Sequence, residues 1–265
     1  MKMSLVGVTA LALEALFVIP AAAEDAATPP AAIEPEVEAK AEGGLEIHYV
    51  VETGVATTYV FRGVPQYLEK SDPSSMTTLS LTLGKLGPGA LTLGVWNATS
   101  ITSYGDQPGT KLEFDLTATY TVPLGTLFTG AAGYIAYLYP EAEIVDGAHE
   151  FWASLSVNDL PITPTLAVYA EVVRFKGVYT LLSLARTFEL GAFTVTPLAG
   201  LGLSGYEGVS FGLNDVTTSV TGRWNHSSGF YVAATAAYSY NGLLDEGSFG
   251  DKSTVYGLAV AGFSR

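Results

Sequence analysis

Few residues in this chain are placed to do covalent chemistry. The three histidines are scattered at His48, His149 and His226. His226 precedes Ser227 and Ser228, but adjacency alone does not give a nucleophile and base their geometry, and a turn position leaves the imidazole in solvent. His149 beside Glu150 could hold a metal at the mouth of a strand, although a surface histidine is the simpler reading. There is no Gly-x-Ser-x-Gly elbow, no His-Glu-x-x-His helix and no phosphate loop. With zero cysteines, thiol catalysis, disulfides, thiolate metal sites and a lipoprotein anchor are all excluded. No catalytic residue, cofactor-binding residue or metal site is assigned, no cofactor is implied, and no enzyme activity is expected. A surface phospholipase or protease is the alternative to be assayed.

A different chemistry is offered by isolated charges set among hydroxyl-bearing and apolar residues: Arg62, Glu113, Asp115, Glu150, Glu171 and Arg223. Glu113 and Asp115 are two apart, a spacing that puts both on one face of a strand. Carboxylates gathered on an inner wall attract cations. Arg62 could instead neutralise Glu113 or Asp115 in a packed interior.

The segments carrying these charges repeat with period two. Leu112, Phe114, Leu116, Ala118, Tyr120 and Val122 alternate with Lys111, Glu113, Asp115, Thr117, Thr119 and Thr121, the pattern of a strand with one greasy and one polar face. Leu79, Leu81 and Leu83 alternate with Thr78, Ser80 and Thr82 in the same way. Strands are expected near 46–61, 77–86, 90–98, 111–122, 127–139, 148–157, 165–173, 178–188, 193–204, 216–224, 230–240 and 252–264. The first is long and is expected to bend near Gly54, and the facing of 127–139, 178–188 and 252–264 stays open.

Short links near 87–89, 123–125, 158–163, 189–192 and 225–229 alternate with longer ones at 62–76, 99–110, 140–147, 205–215 and 241–251. Only the link near 174–177 breaks that rule. Such alternation over an even number of strands is the pattern of an outer-membrane barrel, with short periplasmic turns and longer external loops. Closure follows because lipid offers no partner to an unpaired backbone amide. The fold class is therefore all-β: a closed antiparallel transmembrane β-barrel of about twelve strands, wound as an up-and-down meander. A soluble sandwich could use the same period. Charged residues at 14% of the chain, the export signal and the loop alternation favour the barrel.

Residues 1–23 read as a signal peptide: Lys2, an apolar run from Ser4 to Pro20, and Ala21-Ala22-Ala23 before the cut. Residues 24–44 form a disordered acidic linker rich in Ala, Pro and Glu, and residues 45–265 the barrel. The net charge of −14 argues against nucleic acid. Expected partners are membrane lipids and lipopolysaccharide, small solutes, and the barrel-assembly machinery, for which the ending Gly262-Phe263-Ser264-Arg265 is an imperfect signal. Aromatic pairs at strand ends, Phe188 with Phe193, Trp224 with Phe230, Tyr137 with Tyr139 and Tyr238 with Tyr240, are expected to form interfacial girdles. Gly94, Gly200 and Gly202 are expected to face inward and leave room.

The stretch Thr58-Tyr59-Val60-Phe61-Arg62-Gly63, then Leu93-Gly94-Val95-Trp96-Asn97, Glu113-Phe114-Asp115-Leu116 with Tyr120, and Gly133-Tyr134 with Tyr137 and Tyr139-Pro140, resembles in order the motifs of the TorF family of proteobacterial porin-like proteins. The resemblance covers roughly residues 45–200, and the last strand departs most from it. It implies an outer-membrane barrel and a pore. The residues themselves support a narrow, cation-favouring passive channel in the outer membrane of a Gram-negative bacterium. They also leave open a plugged, non-conducting barrel whose external loops bind a ligand or serve a structural role.

Overall fold

A computed structural model describes residues 46–66, 73–101, 112–140, 147–158, 160–174, 176–207, 209–242 and 252–265. The expected signal peptide and linker, and most of the longer external loops, lie outside these. Twelve strands form one ring: β1 (Glu46–Ala56), β2 (Ser74–Leu86), β3 (Gly89–Ser100), β4 (Leu112–Leu124), β5 (Phe128–Leu138), β6 (Ala148–Val157), β7 (Thr163–Glu171), β8 (Gly177–Ala185, resumed as Phe188–Leu190), β9 (Phe193–Tyr206), β10 (Val209–Asn225), β11 (Phe230–Asn241) and β12 (Ser253–Ser264). Each pairs antiparallel with its neighbours in sequence, and β1 closes on β12 from Val50 opposite Ser264 to Ala56 opposite Leu258.

The period-two pattern explains the wall. Ile47, Leu79, Leu93, Leu116, Phe151, Leu166, Leu182, Val220 and Val255 are exposed, one or more on most strands and all on the outer face. Such a continuous apolar surface is unfavourable in water and is the surface a bilayer covers. The opposite positions carry Thr, Ser, Gly, Ala and the carboxylates. Hydroxyl pairs bridge neighbouring strands on the inner face, as between Thr82 and Thr92 (2.9 Å) and between Thr221 and Thr235 (2.8 Å). The three segments of unresolved facing take definite orientations: Tyr137, Tyr179 and Tyr256 are buried and point inward.

Strand limits depart most from the sequence reading at two places. The connection expected at 205–215 is largely strand, because β9 and β10 run on as a 14- and a 17-residue pair. Spanning takes about 9–11 residues, so this pair stands above the apolar belt. A bulge interrupts it: Gly202 faces Asp215 and Leu203 faces Leu213, which leaves Asn214 as the extra residue. The other departure is in the first segment, expected to run to residue 61. It leaves the wall after Ala56, and residues 57–66 fold into the barrel.

Candidate functional site

Residues 60–65 form a two-stranded hairpin within the lumen, Val60 opposite Pro65 and Phe61 opposite Val64. Gln66 N–H donates to the Tyr59 carbonyl at 2.8 Å. The two central residues, Arg62 and Gly63, have φ of 41° and 85°, the positive pair that a tight two-residue hairpin turn demands. Gly63 is required for space as well. A Cβ there would sit 2.6 Å from the Asp215 Cβ. Arg62 has no such exemption, and holding a residue that carries a Cβ at positive φ costs about 1–2 kcal/mol. Its side-chain contacts compensate for that cost.

The Arg62 guanidinium is buried, and its Nη2 donates to both carboxylate oxygens of Glu150, each at 2.9 Å. Ring faces surround it, with centroids at 4.1 Å for Tyr179 and 4.8 Å for Tyr169, and Phe61 of the hairpin itself at 5.2 Å. These are cation–π distances. Glu150 is held in place by the Tyr137 hydroxyl at 2.7 Å. Behind the turn, Asn214 donates from Nδ2 to the Arg62 carbonyl and to Asp215 Oδ1, both at 2.8 Å. Tyr179 donates to the same Asp215 oxygen at 3.0 Å. The bulge therefore turns two consecutive polar side chains inward to grip the hairpin. Arg62 Nε has no hydrogen-bond partner.

A second anchor lies on the β4 side. Tyr59 donates to Glu113 Oε2 at 2.5 Å and packs on Trp96, ring centroids 5.6 Å apart, while Tyr139 donates to Glu113 Oε1 at 3.2 Å. Asp115 faces inward beside them, fully buried. The buried charged residues among the described ones are thus the carboxylates Glu113, Asp115, Glu150, Glu171 and Asp215 and the cation Arg62, with Arg174 half-buried.

The sequence-selected charges do not all meet. Arg62 pairs with Glu150, not with Glu113 or Asp115. The reason is topological: folding the hairpin inward carries the turn past β4, and Tyr59 rather than Arg62 reaches Glu113. Tyr59 and Phe61, opposite in strand parity to Arg62, are buried as well, because a hairpin inside a barrel has no lipid side. Glu171 accepts the backbone amides of Val173, Arg174 and Lys176 at 2.8–2.9 Å and so caps the short turn after β7. Arg223 lies apart, at the short-turn end, stacked 3.6 Å over the Tyr231 ring with Nε on Asn225 Oδ1 at 2.7 Å. Tyr231 in turn donates to Glu52 at 2.6 Å.

Other expectations are corrected. Tyr137 and Tyr139 are not girdle residues but lumenal donors. Gly94 and Gly202 face inward without leaving space. Thr117 Oγ1 fills the position of a Cβ at Gly94, and the Tyr179 hydroxyl lies 2.6 Å from one at Gly202, with Asp215 against it also. At Gly200 the nearest side-chain atom is Leu181 Cδ1, at 3.3 Å. His149 faces outward against Tyr134, whose hydroxyl bonds its Nδ1, so it and the inward Glu150 cannot share an ion. His226 bonds the Ser228 hydroxyl at 2.9 Å in an exposed turn. Sequence reasoning missed Asn214, Asp215, Tyr169 and Tyr179. The alternation Asp215, Thr217, Ser219, Thr221 was available to place Asp215 inward, had the strand been started earlier.

The lumen changes character along its length. On β11, inward Ala237, Ser239 and Asn241 are buried under the hairpin, whereas Ala233 and Thr235, nearer the short turns, are partly accessible. The same gradient holds on β4, from buried Glu113 and Asp115 to accessible Thr117, Thr119 and Thr121. A cavity of about 20 Å³ lies between Glu52, Met76, Thr78, Trp96 and Leu258, room for about one water. The barrel is thus a hydroxyl-lined vestibule at the end where β1 begins and β12 ends, narrowed by the hairpin toward the other.

No protein-family model and no curated protein matches the sequence. Solved structures do match in fold. The KdgM porin superposes with a TM-score of 0.53 at 11% identity, covering 81% of this chain and 98% of its own. The NanC porin gives 0.52 at 8% identity, covering 82% and 99%. An outer-membrane channel from Pseudomonas putida F1 gives 0.52 at 10% identity, covering 87% and 100%. The fold is that of a porin-type outer-membrane β-barrel. Its apolar belt is the lipid-facing surface such a barrel needs.

Proposed function

We propose that this protein is a porin-like channel for passive diffusion of small solutes across the outer membrane of a Gram-negative bacterium, favouring cations. The observation that carries the reading is the lumen itself: a hydroxyl-lined vestibule leading to a narrowed zone where, among the described residues, buried carboxylates outnumber buried cations. The porin fold and the TorF resemblance support it. On this reading residues 1–23 direct export and 24–44 are an acidic linker that leads into the barrel. Lipopolysaccharide surrounds the external end, and the barrel-assembly machinery inserts the chain. No reaction is assigned; assays for phospholipase and protease activity on purified protein test that.

Reversal potentials in a KCl gradient across a planar bilayer test the selectivity. Cation preference is expected, weakened in Glu113→Gln/Asp115→Asn. Anion preference, or selectivity untouched by the double substitution, overturns it. The inward hairpin favours a second reading, a non-conducting barrel that presents its external loops to a ligand. Single-channel recording separates the two, since that barrel gives no current steps.

A further inference from the structure

We infer that the cage around Arg62 is a binding site for a guanidinium-bearing solute, and that Arg62 is its tethered resident, which such a solute can replace. The inference deepens the channel reading and rests on it for its biological setting, but the site itself is defined by geometry. A planar cation is met by one carboxylate, Glu150, positioned by the Tyr137 hydroxyl. It is met also by two ring faces of the wall, Tyr169 and Tyr179. Guanidinium groups favour this combination, since they stack on aromatic faces and are weakly hydrated, whereas an ammonium is a compact, strongly hydrated charge.

The present occupant fits imperfectly. Its Nε is buried without a partner and its backbone is held at positive φ. A free guanidinium makes the same ring and carboxylate contacts without the backbone constraint. The cage belongs to β5, β6, β7 and β8 of the wall, whereas Arg62 reaches it from a hairpin that is a separate two-stranded piece inside the ring. Withdrawal of the hairpin leaves the cage intact and opens it to the vestibule. A solute carrying a guanidinium then both stabilises the withdrawn state and finds a selective site in the passage. This is the population shift expected of a ligand that binds one state only.

The test uses the full barrel folded in detergent, with Arg62→Ala emptying the cage. Thermal unfolding followed with methylguanidinium, and with methylammonium at equal ionic strength, reads binding without requiring any current. A saturable rise in Tm is expected for Arg62→Ala with methylguanidinium only. Adding Glu150→Gln is expected to weaken the apparent affinity by about tenfold or more, the loss of a charge-assisted hydrogen bond. No saturable rise, an equal rise with methylammonium, or an equal rise in the double variant overturns the proposal.

Should Arg62→Ala not fold, Arg62→Lys keeps the charge but loses the planar group, and the same three outcomes apply. In planar bilayers, current through Arg62→Ala is expected to fall as methylguanidinium is added. Binding in detergent without any current refutes the channel reading and leaves the cage standing. Current that no methylguanidinium reduces, with no shift in Tm, does the reverse.

Discussion

Arg62 and Glu150 stand 88 residues apart in the chain and meet inside the barrel as a buried ion pair, 2.9 Å from nitrogen to oxygen. The pair joins a turn that hangs inside the ring to the wall of the ring. Removing one partner of a buried pair leaves an uncompensated charge, typically costing about 3–5 kcal/mol. In Glu150→Gln that penalty can be relieved by expelling the hairpin. Larger and longer open events are expected in single-channel recordings of Glu150→Gln than of the parent protein. Identical records would show that the ion pair does not hold the lumen closed.

The gradient of accessibility can be read by chemistry, because the chain has no cysteine of its own. Thr235 and Ser239 lie on the same strand and both face inward, Thr235 partly accessible and Ser239 completely buried. A water-soluble maleimide is expected to label Thr235→Cys rapidly and Ser239→Cys slowly or not at all in the folded barrel. Equal labelling would mean that the hairpin does not seal its end.

Two glycines on adjoining strands predict opposite outcomes. At Gly202 an added Cβ lies 2.6 Å from the Tyr179 hydroxyl and presses on Asp215, whereas at Gly222 nothing lies within 4 Å. Gly202→Ala is expected to destabilise by about 1–3 kcal/mol, as overpacking does. Gly222→Ala is expected to be neutral or slightly stabilising. Urea-induced unfolding in lipid vesicles gives both values.

The wall itself is tested by a pair of neighbours. Leu79 is exposed near the middle of β2 and Ser80 faces the lumen. Leu79→Arg is expected to cost about 2–4 kcal/mol, the penalty for a cation against lipid at mid-depth, and Ser80→Arg about 0.5 kcal/mol or less. Refolding into vesicles measures both, and equal costs would contradict a lipid-facing Leu79.

Most of the wall was legible in the residues. Alternation such as Leu79, Leu81, Leu83 against Thr78, Ser80, Thr82 specifies facing directly, because a one-residue slip would invert every side chain. Phe193, Trp224 and Phe230 fell at strand ends for the same reason. What alternation could not report is a strand that leaves the wall. Tyr59, Phe61 and Arg62 still alternate, and a period of two describes a lumenal hairpin as well as a lipid-facing strand. The local clue was Arg62-Gly63, a pair compatible with two positive φ values, but a turn there does not say on which side of the wall it lies. Tyr137 and Tyr139 were misplaced because an interfacial tyrosine and a lumenal tyrosine differ only in what faces them. Asn214 and Asp215 were hidden by a bulge, whose extra residue breaks the period on which the reading depends.

The seam between β1 and β12 has a consequence for assembly. The hairpin follows the first stave directly, yet its anchors on β4, β6, β7, β8 and β10 are all made later on the ribosome. It therefore has no partners to grip until those strands have taken their places in the cylinder. Only when the last stave docks against the first is it enclosed. Its entrapment and the completion of the cylinder are coupled steps, and contacts so distant in sequence carry a large loop-closure entropy and form slowly.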